Sequence, residues 1–255
     1  VQDDYRLPGH SGCGYGFAEI SGITPYKIAG YQTLLDQAPE AVRWALLGVR
    51  YVVTWRETLY TREGTLPESR LIASGKGPVF AAEPTYVHAL KAAPQQAFWV
   101  ANALPYQDSA ELFAGLAQPD FEPFQQIYLA ADSLPTGAVS APGQAVATLT
   151  APTAQAGLFV WDVQAAPQAG WLVVSEAYFN GWQATVDGVP APVLAADGAL
   201  LAVAVPAGTH TVRLTFAPPV LTWGALLSGL GLVVVLGLLL FGQRPNTSQK
   251  RVAQR

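Results

Sequence analysis

The sequence predicts an α+β fold: a small α/β domain, an antiparallel β-sandwich, and one C-terminal transmembrane helix. Three patterns predict it. Helical and strand-like runs alternate up to residue 134; short β-rich runs separated by turn residues follow; and Leu221 to Phe241 is a 21-residue stretch without a charged side chain. The expected boundaries are 1–134 for the α/β domain with a glycine-rich N-terminal loop, 135–143 for a linker, and 144–219 for the sandwich. A transmembrane helix at 220–242 and a basic tail at 243–255 complete the chain.

The first residues are loop-like, because Gly9, Gly12, Gly14, Gly16 and Gly22 stand among polar and aromatic residues. They do not make a dinucleotide fingerprint: Phe17 occupies the third glycine's place and no strand pattern precedes it. Tyr26 to Leu47 reads as a helix in two parts, with Pro39 near a first turn and Ala41, Val42, Ala45 and Leu46 at helical spacing. Gly48 ends it, and Arg50 to Trp55 is the first strand. Further strands are expected at Leu71 to Ala73, Val79 to Ala82, Tyr86 to Leu90, Ala97 to Ala101 and Gln125 to Ala130. A helix over Ser109 to Ala117, capped by Ser109, is expected between the last two.

Pro, Gly, Ser and Ala dominate Pro135 to Gly143, the composition of a linker. Beyond it, strands are expected at Ala145 to Thr150, Gly157 to Val163, Trp171 to Ala177, Trp182 to Val186, Leu200 to Val205 and His210 to Phe216. In the last, His210, Val212, Leu214 and Phe216 alternate with Thr209, Thr211, Arg213 and Thr215, as a strand with one dry face requires. Asp187-Gly188 and Asp197-Gly198 are suited to tight turns at positive φ.

At about 1.5 Å per residue, the terminal helix is about 31 Å long, matching a hydrocarbon core of roughly 30 Å. Trp223 and Phe241 are its expected interfacial anchors, with Arg244 beyond. Ten basic and 18 acidic residues precede Leu221, a balance of −8, whereas Arg244, Lys250, Arg251 and Arg255 give the tail +4. Positive flanks remain in the cytoplasm, so residues 1–219 are expected to be extracytoplasmic. Asn246-Thr247-Ser248 would then lie on the wrong side for glycosylation. The acidic outer part also argues against nucleic acid as a partner. Cys13 is the single cysteine, which excludes an intrachain disulfide and multi-cysteine metal sites. Neither a leader pattern nor any Met is present, which raises the expectation of a piece of a longer protein; a cleaved signal peptide leaves the same record.

Catalytic constellations are sparse. His10, His88 and His210 are far apart without metal-ligand spacing, and the carboxylates form no recognisable pair. A Cys13–His88 pair has no nucleophile signature around it. Glu176 and Asp187 flank Tyr178-Phe179-Asn180-Gly181-Trp182, where aromatic rings and a carboxylate suit sugar stacking; Glu176, Tyr178 and Trp182 are therefore glycan-binding candidates. The competing expectation is structural: Trp171, Phe179 and Trp182 fill the sandwich core and Asn180-Gly181 turns the chain.

The stretch Val173-Val174-Ser175-Glu176-Ala177-Tyr178-Phe179-Asn180-Gly181-Trp182-Gln183-Ala184-Thr185-Val186-Asp187-Gly188 resembles the C-terminal signature of the YfhO-like bacterial multi-pass membrane proteins. The strand Pro206 to Leu214, the following prolines and the final apolar helix occur in the family's order, and Leu46 to Val53 is similar to its helix-to-strand segment. The resemblance implies a bacterial cell-membrane protein similar to glycosyltransferases that use a polyprenyl-phosphate-linked sugar. In such proteins the catalytic acids lie in loops between early membrane helices, and no position here matches one. This chain would then be a non-catalytic accessory part. Its implied partners are the lipid bilayer, the upstream transmembrane region and a cell-envelope glycan or glycopolymer. A single-pass membrane-anchored module binding carbohydrate or protein is the alternative, and a hydrolase built from the α/β part is a third.

Overall fold

The computed structural model describes residues 19–20, 27–76, 84–91, 96–134, 147–150 and 157–241. Residues 9–18 and 21–22 of the glycine-rich stretch, the strand expected at Val79 to Ala82, the linker at 135–143 and the basic tail lie outside them.

Two helices open the described fold, α1 (Ala29–Gln37) and α2 (Glu40–Leu46), separated by Ala38 and Pro39. Pro39 stands at the cap position just before α2, where a missing N–H costs nothing. Gly48 follows at φ +65°, a left-handed conformation suited to ending a helix. The strands β1 (Tyr51–Thr54), β2 (Ser69–Lys76) and β3 (Pro84–Leu90) form an antiparallel sheet in the order β1-β3-β2. Behind them Trp44, Val52 and Leu59 make a small separate core.

Next come β4 (Ala97–Val100), β5 (Asn102–Tyr106), α3 (Ser109–Leu116) and β6 (Gln126–Ala130). β5 and β6 pair in parallel, which requires a crossover, and α3 is that crossover. The helix is capped by Asp108, not by Ser109 as expected: the Asp108 Oδ1 accepts from the Glu111 N–H at 2.9 Å. Glu111 in turn accepts from the Gln107 N–H at 2.7 Å, so two groups at the helix entrance are satisfied reciprocally.

The sandwich has strands where six were expected, β7 (Thr148–Leu149), β8 (Leu158–Ala166), β9 (Gly170–Ala177), β10 (Trp182–Val186), β13 (Leu200–Val205) and β14 (Gly208–Phe216), and adds two that were not, β11 (Val189–Ala191) and β12 (Val193–Ala196). One sheet runs β11-β10-β14-β8-β7 and the other β12-β13-β9-β4. The second sheet thus takes its edge strand β4 from before the Pro- and Gly-rich segment, with Ala97 opposite Val174 and Val100 opposite Trp171. The turns expected at the two Asp-Gly pairs are present, with Asp187 at φ 52° and Asp197 at φ 50°, each followed by a positive-φ glycine.

The packing has three layers. Between the two sandwich sheets lie Trp99, Trp161, Leu172, Val174, Leu201, Val203, Val212 and Leu214. The opposite face of the four-stranded sheet, carrying Phe98, Trp171, Val173, Leu200 and Ala202, packs on Leu34, Leu46, Leu112, Leu116, Ile127 and Leu129 from α1 to α3 and β6. Trp171 therefore fills the core outside the sandwich interior, not the one between its sheets. At the closest approach, a Cβ on Gly30 of α1 would stand 2.4 Å from the Gly198 carbonyl oxygen, so only glycine lets the helix meet that turn. The last element, α4 (Pro219–Phe241), is 23 residues long and follows β14 after two residues.

Candidate functional site

The candidate membrane span, α4, is physically the best defined site. The window Pro219–Leu239 has mean hydropathy 2.1 and none of it is buried by the protein. Leu226, Leu227, Leu232 and Val235 project from four different sides of the helix and are 52% to 68% exposed, so the helix offers apolar surface all round. Such a helix needs an apolar surrounding, which a bilayer supplies. Of the expected anchors, Trp223 lies one turn into α4 and is 68% exposed. Phe241 is the last residue of the helix, and Arg244 lies outside the described residues.

The second candidate site is where the sandwich meets this helix. The loop from Tyr178 to Gly181 joins β9 to β10, and Phe216 to Pro218 joins β14 to α4. The Ala217 N–H donates to the Gly181 carbonyl oxygen at 2.8 Å, locking the two segments together. Gly181 has φ +127°, and a Cβ there would lie 2.9 Å from the Pro218 Cα, so both conformation and space demand glycine.

The three glycan-binding candidates have different surroundings. Trp182 is half-buried, stacked on Phe159 at 5.6 Å and tilted against Phe216 at 5.2 Å, so its ring is engaged in the sandwich. Tyr178 is partly exposed, and its N–H donates to the Ala199 carbonyl oxygen at 2.7 Å. Glu176 is half-buried at the end of β9, and burial raises its pKa while the Ala177 N–H partly offsets the rise. Its charge acts on Tyr31 of α1, whose pKa is pushed up to about 12, chiefly by burial and secondarily by Glu176. Phe179, expected in the core, is instead 49% exposed and touches Phe216 at the sandwich's end.

Other charged clusters have structural partners. Glu40 is buried, paired with Arg43 at 2.6 Å and accepting from the Arg62 N–H at 2.7 Å, which ties α2 to the loop after β1. His88 is buried with its Nε2 3.0 Å from the Arg56 carbonyl oxygen. On β14, the His210 Nδ1 lies 2.6 Å from Asp187 Oδ2 and its Nε2 3.1 Å from the Ala207 carbonyl oxygen. Both ring nitrogens thus face acceptors, which favours the imidazolium. The Asp187 bond, then Ala207, raises the His210 pKa, and the His210 bond, then the Thr211 N–H, lowers that of Asp187. Neither nitrogen is left to take a proton from a nucleophile, so this pair is a surface clasp. Among the described residues, no group of three or more His, Cys, Asp or Glu is placed to hold a metal ion.

Asp197 was not among the sequence candidates. Its side chain is fully buried; Oδ1 accepts from the Tyr128 N–H at 2.8 Å, while Oδ2 has no hydrogen-bond partner among the described residues. The Asp197 N–H donates back to the Tyr128 carbonyl oxygen at 2.9 Å, stitching the β12–β13 turn to β6. Burial pushes its pKa up to about 7, with the Tyr128 N–H opposing. The Asp-Gly turn signal explains the position of Asp197; only the tertiary packing explains its burial.

Residues 143–228 match the family model for the bacterial membrane protein YfhO. No curated protein and no solved structure matches the chain. The matched segment begins just before β7 and ends inside α4, so it unites the sandwich strands after the linker with the start of that helix.

Proposed function

We propose that this YfhO-like chain is the extracytoplasmic, accessory C-terminal part of a larger membrane enzyme of the glycosyltransferase type. In this reading, catalytic acids and the polyprenyl-phosphate-linked sugar donor belong to an upstream transmembrane region. The three-layered body holds a cell-envelope glycan or glycopolymer acceptor near them. The observation carrying the proposal is the joining, within the YfhO-matched segment, of the sandwich to a bilayer-length helix by only two residues, Ala217 and Pro218. So short a connection keeps the sandwich at the membrane surface. The change of charge from −8 before the span to +4 after it favours the outer face.

The test is sugar transfer in cells carrying the full-length gene with residues 29–216 deleted and the membrane helices retained. The expected result is correctly inserted protein with envelope glycosylation strongly reduced. Undiminished transfer would refute an acceptor-positioning role.

The half-exposed Tyr178 and the carboxylate of Glu176 favour a second reading, a membrane-anchored carbohydrate-binding module. Titration of the reconstituted chain with envelope glycans separates the two readings. Tight binding without any upstream enzyme favours the module.

A further inference from the structure

The exposed aromatic edge of the sandwich carries a separate conclusion. Tyr178, Phe179 and Phe216 are 36%, 49% and 37% exposed; Phe216 stands three residues before α4, the Phe179 ring lies beside it, and Tyr178 precedes Phe179 in the same loop. No charged residue occurs from Ala177 to Trp182 or from Phe216 to Leu221. On a sandwich end facing water, this much aromatic surface is unfavourable.

The length of α4 fixes where this edge lies. Its 23 residues measure about 35 Å, longer than a hydrocarbon core of roughly 30 Å and shorter than the roughly 40–45 Å that includes both headgroup layers. Both helix ends therefore fall within headgroup layers. Phe216 precedes Pro219 by three residues, a reach of at most about 11 Å. Gly181 is in direct contact with Pro218, and the Phe179 ring centroid is 6.4 Å from that of Phe216. These contacts hold the edge at the helix entrance whatever the tilt of α4.

We propose that Tyr178, Phe179 and Phe216 form a lipid-contacting edge, inserted into the headgroup layer of the bilayer that α4 crosses. This rests on the membrane-spanning reading of α4. Aromatic rings favour that layer, where an apolar body and a polar tip are both accommodated. Phe179 is the deepest-reaching ring, Tyr178 keeps its hydroxyl among headgroups, and the Gly181–Pro218 contact sets the angle of the body above the membrane. The sandwich is thereby held in one orientation against the surface and does not swing on a two-residue tether.

The test uses the whole chain with Cys13→Ser, reconstituted in vesicles of phosphatidylethanolamine and phosphatidylglycerol. A nitroxide is placed in turn through Phe179→Cys, Val189→Cys or Leu232→Cys. Val189 is 66% exposed and follows the far end of β10, about 13 Å of strand from Trp182. The readout is nitroxide collision with dissolved oxygen relative to a water-soluble nickel chelate. The expected ratio at Phe179→Cys lies between the other two and several-fold above Val189→Cys. Equal ratios at Phe179→Cys and Val189→Cys, with Leu232→Cys deep in lipid, overturn the proposal and leave the span intact. A fully aqueous Leu232→Cys overturns the span itself.

Discussion

The two sandwich sheets have similar strands but different surroundings, and their sequences record the difference. β14 alternates, with Val212 and Leu214 buried between exposed Thr211 and Arg213, because the five-stranded sheet has one face in water. β9 and β13 do not alternate: Trp171, Leu172, Val173 and Val174 are all buried, as are Leu200, Leu201, Ala202 and Val203. A continuous apolar run is what a strand shows when both faces are covered. The four-stranded sheet is thus the middle layer and couples the N-terminal helices to the sandwich.

The sharpest way to break this comparison is to truncate neighbouring residues. Leu200→Ala and Leu201→Ala remove side chains on opposite faces of β13, and each is expected to cost about 2–5 kcal/mol in urea unfolding of the reconstituted chain. Arg213→Ala on the wet face of β14 is expected to stay within about 0.5 kcal/mol. If Leu200→Ala is as mild as Arg213→Ala, the outer face of the middle sheet is not covered.

Asp197 sharpens the same point through pH, because it joins the β12–β13 turn of the middle sheet to β6 of the outer layer. Its folded pKa of about 7 lies above the ordinary 3.8, so the folded state holds its proton more tightly than the unfolded chain does. The contribution of Asp197 to stability is therefore greatest at low pH and falls as pH rises from about 4 to about 7, by up to roughly 4 kcal/mol at 1.36 kcal/mol per pKa unit. Asp197→Asn keeps the acceptor for the Tyr128 N–H and tolerates positive φ. This variant is expected to flatten the fall and to be the more stable protein at pH 8. An unchanged slope would assign the pH dependence to other groups.

These cases also show where sequence patterns stop being informative. Hydrophobic period and Asp-Gly turns placed β10 and β13 at their observed ends and the two-part helix near Pro39, because those signals are local. The short strands β5, β11 and β12 escaped, since Pro105 and Pro190 sit inside β5 and β11 and β12 is only four residues long. The partnership of β4 with β9 was not legible either, because strand pairing across some seventy residues leaves no local pattern. At the candidate site, sequence identified Tyr178-Phe179-Asn180-Gly181-Trp182 as the notable aromatic cluster. It did not separate Trp182, engaged with Phe159 and Phe216, from Phe179, which faces outward; that division depends on the turn at Gly181.

An accessory role at the outer face requires the layered body to lie outside the cytoplasm. Val189→Cys in a Cys13→Ser background, expressed in the full-length protein in intact bacterial cells, tests this with a maleimide that cannot cross the inner membrane. Labelling of Val189→Cys is expected in unbroken cells. Labelling only after the inner membrane is broken, by a protein that is folded and inserted, would place the body in the cytoplasm and contradict it.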